Sequence, residues 1–499
     1  MQIYPIDPSF VAGEFLELAV QPLRRFSIAI YQQQDQEALT SVSGVVVAGA
    51  EHVTTTLVRG KYVFQSAGSE APVRFDEDWG WPTLTVKPNV PELESGAYVA
   101  VAYEVGQDGA PLTDLGRRCS AHKPLYGSPP DSDSMALVIA RPRSPSARLA
   151  YIIPTATYHA YNSTGGGCFY GDPIHRTQPA SKVSLRRPGG GLGAQLGEPH
   201  DPYDTRSPRQ QFTHWDAKFI RWLRARHLAC DFYTDLDLHR GTFLDAVDYS
   251  CMLSVGHHEY WSQEMRDHVA CFIAGGGNLA VFSGNTCYRP VDFGVHARHD
   301  DMKEMNRLGD SWPDFSETDL IGLSYGYGGG KWGRWGRFRR WVECEREPVG
   351  FTVREADHWV FTDTGLTNGE TFGAEDRLAG YEVDGVPHVP NGFRLLASTP
   401  RLEGWEVGGA GALGLFRPPG GGSGQGRVFN CGTTDWARVL MDPNAQSHVV
   451  VDQITRNVVR RFLGLPLLQG ASRRDAAFTE LIEGPRDAET LALGTMAAQ

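Results

Sequence analysis

Three features of the sequence predict an α/β protein built on a doubly wound sheet, with a β-rich insertion and a β-sandwich in front of it. Residues before about 145 read as short strands punctuated by Gly and Pro, residues from 146 alternate apolar runs with helical periodicity, and residues from about 310 to 430 turn to glycine, tryptophan and short β-like runs. A chain of 499 residues also exceeds what a single core usually supports. The expected division is a sandwich over 1–145, an α/β domain over 146–470 with its β-rich excursion, and a tail over 471–499.

In the first division the strand-like segments are 15–20, 26–31, 44–47, 53–58, 97–103 and 135–139, spaced as in a sandwich. The Pro/Ser-rich stretch GSPPDSDS, starting at Gly127, places the boundary between 125 and 147. In the second division the apolar runs are 149–153, 229–233, 249–255 and 279–282, as expected for a parallel sheet of the flavodoxin-like or glutamine-amidotransferase-like kind. Between the first two lies an amphipathic helix, with Thr213 as its expected N-cap, Asp216 in its first turn, and Trp215, Phe219, Trp222 and Leu223 on one stripe. A second helix starts at Ser262, carries Met265, Val269, Phe272 and Ile273 on one face, and stops at Gly275. The short β-like runs of the excursion include LSYGYGGGKWGRWGRF, starting at Leu323, whose Lys331, Trp332, Arg334, Trp335 and Arg337 read as a glycine-laced loop packing its tryptophans rather than as a surface that stacks on nucleobases. A last amphipathic helix is marked by Val451, Ile454, Val458 and Phe462.

The formal net charge of -12, spread along the chain, argues against nucleic acid as a partner, because phosphate recognition needs a basic face. The start MQIYPIDPSF has neither a basic nor an apolar leader region, and no apolar run approaches the length of a membrane helix, so the expectation is a cytoplasmic protein with no membrane partner. The eight cysteines are scattered without a CxxC pair and read as reduced core or loop thiols.

Ligands of a doubly wound sheet bind beyond the carboxyl ends of its strands, which here lead into PTATYHAYN (154–162), TDLDLH (234–239), GHHEYWS (256–262) and SGN (283–285). GHHEYWS puts two imidazoles, a carboxylate and a phenol on one short turn, which suits a metal or, equally, a set of backbone caps at a helix start. It lacks the one-turn histidine spacing of HExxH, and spacing alone does not decide between the two readings. Asp235 and Asp237 read as loop carboxylates that cap helices or reach the site, and Tyr170 and Trp261 as pocket wall or core.

PTATYHAYN with GGGCFY, KVSLRRP, GHHEYWS with MRD, GGGNLAVFSGN, TGLTNGE, GYEVDG and GTTDWA form an ordered series over about residues 150 to 440 that resembles the large (beta) subunit of N,N-dimethylformamidase. The resemblance implies a mononuclear, ferric iron held by two tyrosinates and a glutamate, in a hydrolase that cleaves the C–N bond of small N-substituted amides. By the same resemblance Glu259 is the carboxylate ligand and Tyr161 one tyrosinate, with Tyr158 as its alternative. His257 matches an imidazole behind the ligands, Asn285 an amide that polarises the substrate, and Glu382 the general base. Hard phenolate and carboxylate oxygens suit a ferric ion. The implied partner is a small-molecule amide, and the resemblance leaves room for a homo-oligomer and a small partner subunit.

The series departs from the family at Gly189, where members usually carry a tyrosine after the RP of KVSLRRP. Tyr203 is the expected replacement ligand, with His200 and His258 as rivals; His258 stands where the family commonly has Asp. Two other classes fit the same residues. One is an enzyme using the same metal for a non-hydrolytic, biosynthetic step. The other is a metal-free module that binds a small molecule or carbohydrate.

Overall fold

The computed structural model describes residues 2–21, 26–33, 50–58, 74–81, 83–86, 94–120, 134–170, 179–193, 210–243, 249–294, 302–335, 341–343, 349–389, 391–420, 422 and 424–467, and of 50–58, 331–335 and 341–343 only the backbone. Tyr203, His200, strand 44–47, the tail 471–499, and the side chains of Lys331, Trp332, Arg334, Trp335 and Arg337 therefore lie outside the described set.

The doubly wound α/β expectation is overturned. The described residues form a β-rich molecule, 25 strands in five sheets against eight α-helices. The largest sheet has nine strands and is mixed. Asp231–Thr234, Leu149–Ile153, Cys251–His257, Asn278–Gly284 and Val428–Asn430 run parallel. The same sheet then continues antiparallel through Ala412–Phe416, Arg394–Ser398, Phe351–Val353 and Thr371–Phe372. Most of the strands read as an excursion are thus hydrogen-bonded into the main sheet. The apolar runs were located close to where strands form, but a run carries no record of its neighbour, and pairing order is what separates a wound parallel sheet from a mixed one. Of LSYGYGGGKWGRWGRF, a β-like run also read as a glycine-laced loop, Ser324–Trp335 is a single strand that pairs with Trp341–Glu343, Glu382–Gly385 and Trp405–Glu406.

At the amino terminus two sheets pack on each other, and the larger also joins the core beside the main sheet. Ile3–Pro5, Leu16–Val20 and Thr83–Val86 form one small sheet. Ser9–Val11, Met135–Arg141, Gly96–Glu104, Phe26–Gln33 and Ala50–Val58 form a five-stranded one. Ile28, Ile30, Tyr98, Ala100 and Val138 of the larger sheet pack with Leu16 and Leu18 of the smaller. The alternate residues Ala29, Tyr31, Val99, Val101 and Leu137 face the other way, into the core that contains Tyr151, Trp215 and Phe219. Because successive side chains point to opposite faces, the larger sheet is buried on both sides, which explains why Phe26–Gln33 is apolar or buried at every position. Leu149–Ile153 does the same in the main sheet, sending Leu149, Tyr151 and Ile153 to one cluster and Ala150 and Ile152 to another.

The helix Gln263–Ala274 forms where its pattern placed it: Ser262 accepts from the Met265 N–H, Gly275 ends it, and Met265, Val269 and Ile273 are buried. Asp216–Ala225 forms as well, but Thr213 is not its cap. Trp215 holds that position, and the Thr213 hydroxyl donates to Gln211 Oε1 at 3.3 Å. Asp216 is spent elsewhere, accepting from the buried phenols of Tyr151 (2.8 Å) and Tyr158. The last helix, His448–Phe462, buries Val451, Ile454, Val458 and Phe462. All seven described cysteines are free. Among the described residues no helix is long and apolar enough to cross a membrane.

Candidate active site

Three of the four strand ends singled out in the sequence converge on one cavity of about 340 Å³. The strand Leu149–Ile153 runs into the helix Thr155–Tyr161, whose seven residues are all buried and whose last residue is Tyr161. The strand Cys251–His257 bends at Gly256 and delivers His257 and Glu259. Glycine is required at 256, since its φ is +72° and a Cβ would lie 2.5 Å from Trp215 Cβ. The Glu259 and Tyr260 N–H groups both donate to Thr157 Oγ1, at 3.0 and 3.3 Å. Thr157 stands one turn before Tyr161, so a single helix face ties the Glu259 turn and the Tyr161 phenol together.

Glu259 is the hub. Tyr161 Oη donates to its Oε2 at 2.9 Å, Tyr170 Oη reaches both oxygens at 2.8 and 2.9 Å, and Arg289 Nε donates to Oε1 at 2.8 Å. Tyr260 Oη in turn donates to Tyr170 Oη at 2.6 Å. Burial first, and then the Glu259 carboxylate, hold the phenols of Tyr161, Tyr170 and Tyr260 well above the ordinary tyrosine value. They keep their protons unless a cation replaces them.

Beside this hub lies a second group. His257 Nε2 is 2.8 Å from Glu382 Oε2 and 3.3 Å from Glu259 Oε2, while its Nδ1 meets Gln210 Oε1 at 2.7 Å. With the Gln210 carbonyl accepting from Nδ1–H, a bare Nε2 would set two lone pairs 2.8 Å apart, so one proton belongs to the Nε2–Glu382 contact. Glu382 is fixed by its backbone: Thr434 Oγ1 accepts from its N–H and the Thr434 N–H donates to its carbonyl. Asn285 follows the strand Asn278–Gly284 with a φ of +50°, a conformation asparagine tolerates. The buried Asp384 carboxylate accepts from the Asn285 and Thr286 N–H groups at 2.7 and 3.4 Å and so fixes that turn; burial pushes Asp384 up to about 7. Asn285 Nδ2 donates to Glu382 at 3.2 Å. Its Oδ1 is buried and has no partner among the described residues, although Asn285 lines the cavity.

Of the residues singled out from sequence, Tyr161, Glu259, His257, Asn285 and Glu382 thus come together. Tyr158, the alternative ligand, does not line the cavity and is bonded to Asp216. His258 turns into the core against Trp261, with its Nδ1 on Ser254 Oγ at 2.9 Å, and does not line the cavity. Asp235 and Asp237 serve structure: Asp235 accepts from Ala156 N–H at 2.7 Å, and Asp237 completes a capping box with Thr234. Trp261 is core, as one of its two readings had it. Tyr170, read as wall or core, lines the cavity and also places its phenol on Glu259; Tyr260 had been noted only as the phenol of GHHEYWS, and Arg289 and Gln210 were not singled out. The one signal for Tyr170 was its place in GGGCFY, within the motif series.

What fold and cavity define together is a β-rich protein with a small, polar, phenol-lined cavity at the ends of parallel strands. The chain belongs to the family described as N,N-dimethylformamidase beta subunit-like, C-terminal, whose sequence model matches residues 46–448. No curated protein matches the chain. Among solved structures a β-galactosidase from Rahnella sp. R3 aligns at 13% identity over 72% of this chain and 36% of its own, so the match spans about a third of that enzyme. At a TM-score of 0.32 the likeness carries no argument.

Among the described residues no group of three His, Cys, Asp or Glu side chains is arranged to hold a metal. The oxygens around Glu259 form a different donor set, two phenols on one carboxylate. Phenols of raised pKa on a buried carboxylate fit a hard, highly charged cation, which would take the place of their protons.

Proposed function

We propose that the protein is an amide hydrolase that cleaves the C–N bond of a small N-substituted amide, formamide-like in size, and that Tyr161, Tyr170 and Glu259 hold a single iron ion. The observation that carries this reading is the meeting of two phenols on Glu259 immediately beside the His257–Glu382 pair. Tyr170 takes the ligand role for which the sequence had offered Tyr203.

When bound, such an ion supplies Lewis acidity, polarising the amide carbonyl and making water a better nucleophile. The rest is work for the chain. Glu382, sharing a proton with His257, accepts the proton of the attacking water as its oxygen bonds to the carbonyl carbon. The same pair returns a proton to the amide nitrogen as the C–N bond breaks, leaving a carboxylic acid and an amine. Asn285 spends one Nδ2 hydrogen on Glu382, which leaves its second amide hydrogen as the donor to the oxyanion and its buried Oδ1 as an acceptor for the water or a substrate N–H. Arg289 holds the Glu259 side chain in place through Nε on Oε1. A cavity of about 340 Å³ lies at the small end of the range for ligand sites, which agrees with a small amide. A small partner subunit and self-association remain part of this reading.

The test is to measure iron content and visible spectrum of the purified protein, with amine release from N-methylformamide and N,N-dimethylformamide, beside the Glu259→Ala variant. About one iron per chain, a phenolate charge-transfer band and amine release, all lost in the variant, are expected. Full activity after exhaustive chelation would refute the metal role, and an iron-loaded protein releasing no amine from any small amide would refute the hydrolysis.

A further inference from the structure

At the other end of the strands of the nine-stranded sheet, where Val428–Asn430 and Arg394–Ser398 begin, lies a second cavity, of about 500 Å³, whose walls include Arg354, Arg394, Arg427 and Arg461. Arg427 immediately precedes the strand Val428–Asn430, which runs parallel to Asn278–Gly284 with Val428 beside Leu279. Asn285 follows the other end of Asn278–Gly284, so at 3.3 Å per residue the two cavities lie roughly 20 Å apart. The second is therefore separate from the Glu259 site.

Its charge is unusual for this chain. Arg394 is paired with Glu355 at 2.6 Å, whereas Arg354, Arg427 and Arg461 have no carboxylate partner among the described residues. Arg354 spends Nε and Nη2 on the hydroxyl of Ser398, at 3.0 and 2.8 Å, and Arg461 stands 6.0 Å from the ring of Trp359. The lining thus holds four guanidiniums against Glu355 and Asp357, in a protein whose net charge is -12. His358 senses this field: burial first, and then Arg394, push it down to about 4. The frame is rigid as well, since Asn457 on the last helix donates to the carbonyls of Val360 and Thr362, just after Trp359.

We propose that this cavity binds a dianionic oxyanion, the phosphate group of a small molecule, between the guanidiniums of Arg354, Arg427 and Arg461. Guanidinium forks match phosphate oxygens in pairs, and arginines that outnumber the carboxylates beside them repel one another until an anion joins them. Trp359 supplies a flat apolar wall beside the anion position, suited to the organic part of a phosphate ester. The proposal does not depend on the reaction at the other cavity.

The experiment is a calorimetric titration of the full chain with inorganic phosphate, at ionic strength held constant with chloride, repeated on the Arg427→Gln/Arg461→Gln double variant. Both side chains are exposed, so an unchanged melting temperature is expected and serves as the folding control; Arg354→Gln is a second, independent variant. Saturable one-to-one binding, weakened about tenfold or more in the variants, is expected. Phenyl phosphate then separates the sources: tighter binding than inorganic phosphate assigns the site to an ester, equal binding to the free ion. Binding that never saturates, affinity unchanged in the variants, or uptake of a polyglutamate peptide with none of phosphate would each overturn the proposal.

Discussion

Replacing Asp216 by Asn should change how the protein's stability depends on pH, by an amount the structure fixes. Asp216 is fully buried, and its carboxyl accepts from Tyr151 and Tyr158, the latter on the helix that presents Tyr161. Burial raises its pKa from 3.8 to about 7 against the opposing pull of both phenols. Folding therefore favours the protonated acid. That contribution is complete below pH 3.8, shrinks as pH rises, and is gone once pH passes 7. Integrating the proton linkage, wild type should lose about 2.5 kcal/mol relative to the non-titrating variant between pH 5 and pH 8. Asn keeps the shape and one carbonyl acceptor, so a constant offset of about 1 kcal/mol from the disturbed phenol bonds is expected at every pH. Urea unfolding of both proteins at pH 5 and pH 8, followed by tryptophan fluorescence, measures the gap. A gap that stays constant, or moves in favour of wild type at pH 8, would show that Asp216 is ionised in the folded protein and that the phenols outweigh burial.

Other outcomes follow from the cavity. Tyr170→Phe removes the phenol oxygen and leaves the Tyr260 hydroxyl without its acceptor, so iron occupancy and the charge-transfer band should fall, as read by metal analysis and absorbance; Tyr158→Phe and Tyr203→Phe should leave both unchanged. Glu382→Gln should retain iron yet lower kcat about 10²- to 10³-fold, with little change in KM, and near-normal turnover would remove Glu382 from the proton path. Gly330→Ala would set a Cβ 2.8 Å from both Glu382 Cγ and Tyr325 Oη, and should cut kcat while metal content holds. His258→Leu loses a core hydrogen bond to Ser254 worth about 1 kcal/mol, seen as a lower melting temperature, but keeps the iron, since the imidazole lies outside the cavity.

What was legible in the sequence was local. The Ser262 cap, the Met265–Val269–Ile273 stripe and the Gly275 stop depend on residues within a few positions of one another, and the helix formed there. The segments that carry Glu259, Asn285 and Tyr161 were legible because each follows an apolar run and parallel strands gather their carboxyl ends, whereas the residues within them were picked out by the family resemblance. Tyr170 was missed for the opposite reason. It meets Glu259 across 89 positions of chain, and nothing near a tyrosine tells whether its phenol will face a carboxylate or only a wall. The sheet was misjudged in the same way: Arg394–Ser398 and Ala412–Phe416 have ordinary strand composition, and only long-range hydrogen bonds place them in the same sheet as Leu149–Ile153. Thr213 shows the limit even of local rules, since a competent cap residue lost its place to Trp215, which the surrounding core required.

The sheet that contains Phe26–Gln33 sits between two cores, and this bears on how the molecule comes apart. Peeling it away would expose Tyr31, Val99 and Leu137 on one side and Ile28, Ile30 and Val138 on the other, so neither core can melt while the other stays dry. Heating should accordingly yield one cooperative transition, with the amides of Phe26–Gln33 and Gly96–Glu104 exchanging their hydrogens as slowly as those of Leu149–Ile153. A substitution such as Tyr31→Ala, far along the chain from Glu259, should then lower the temperature at which the phenol-lined cavity is lost by as much as it lowers that of its own sheet.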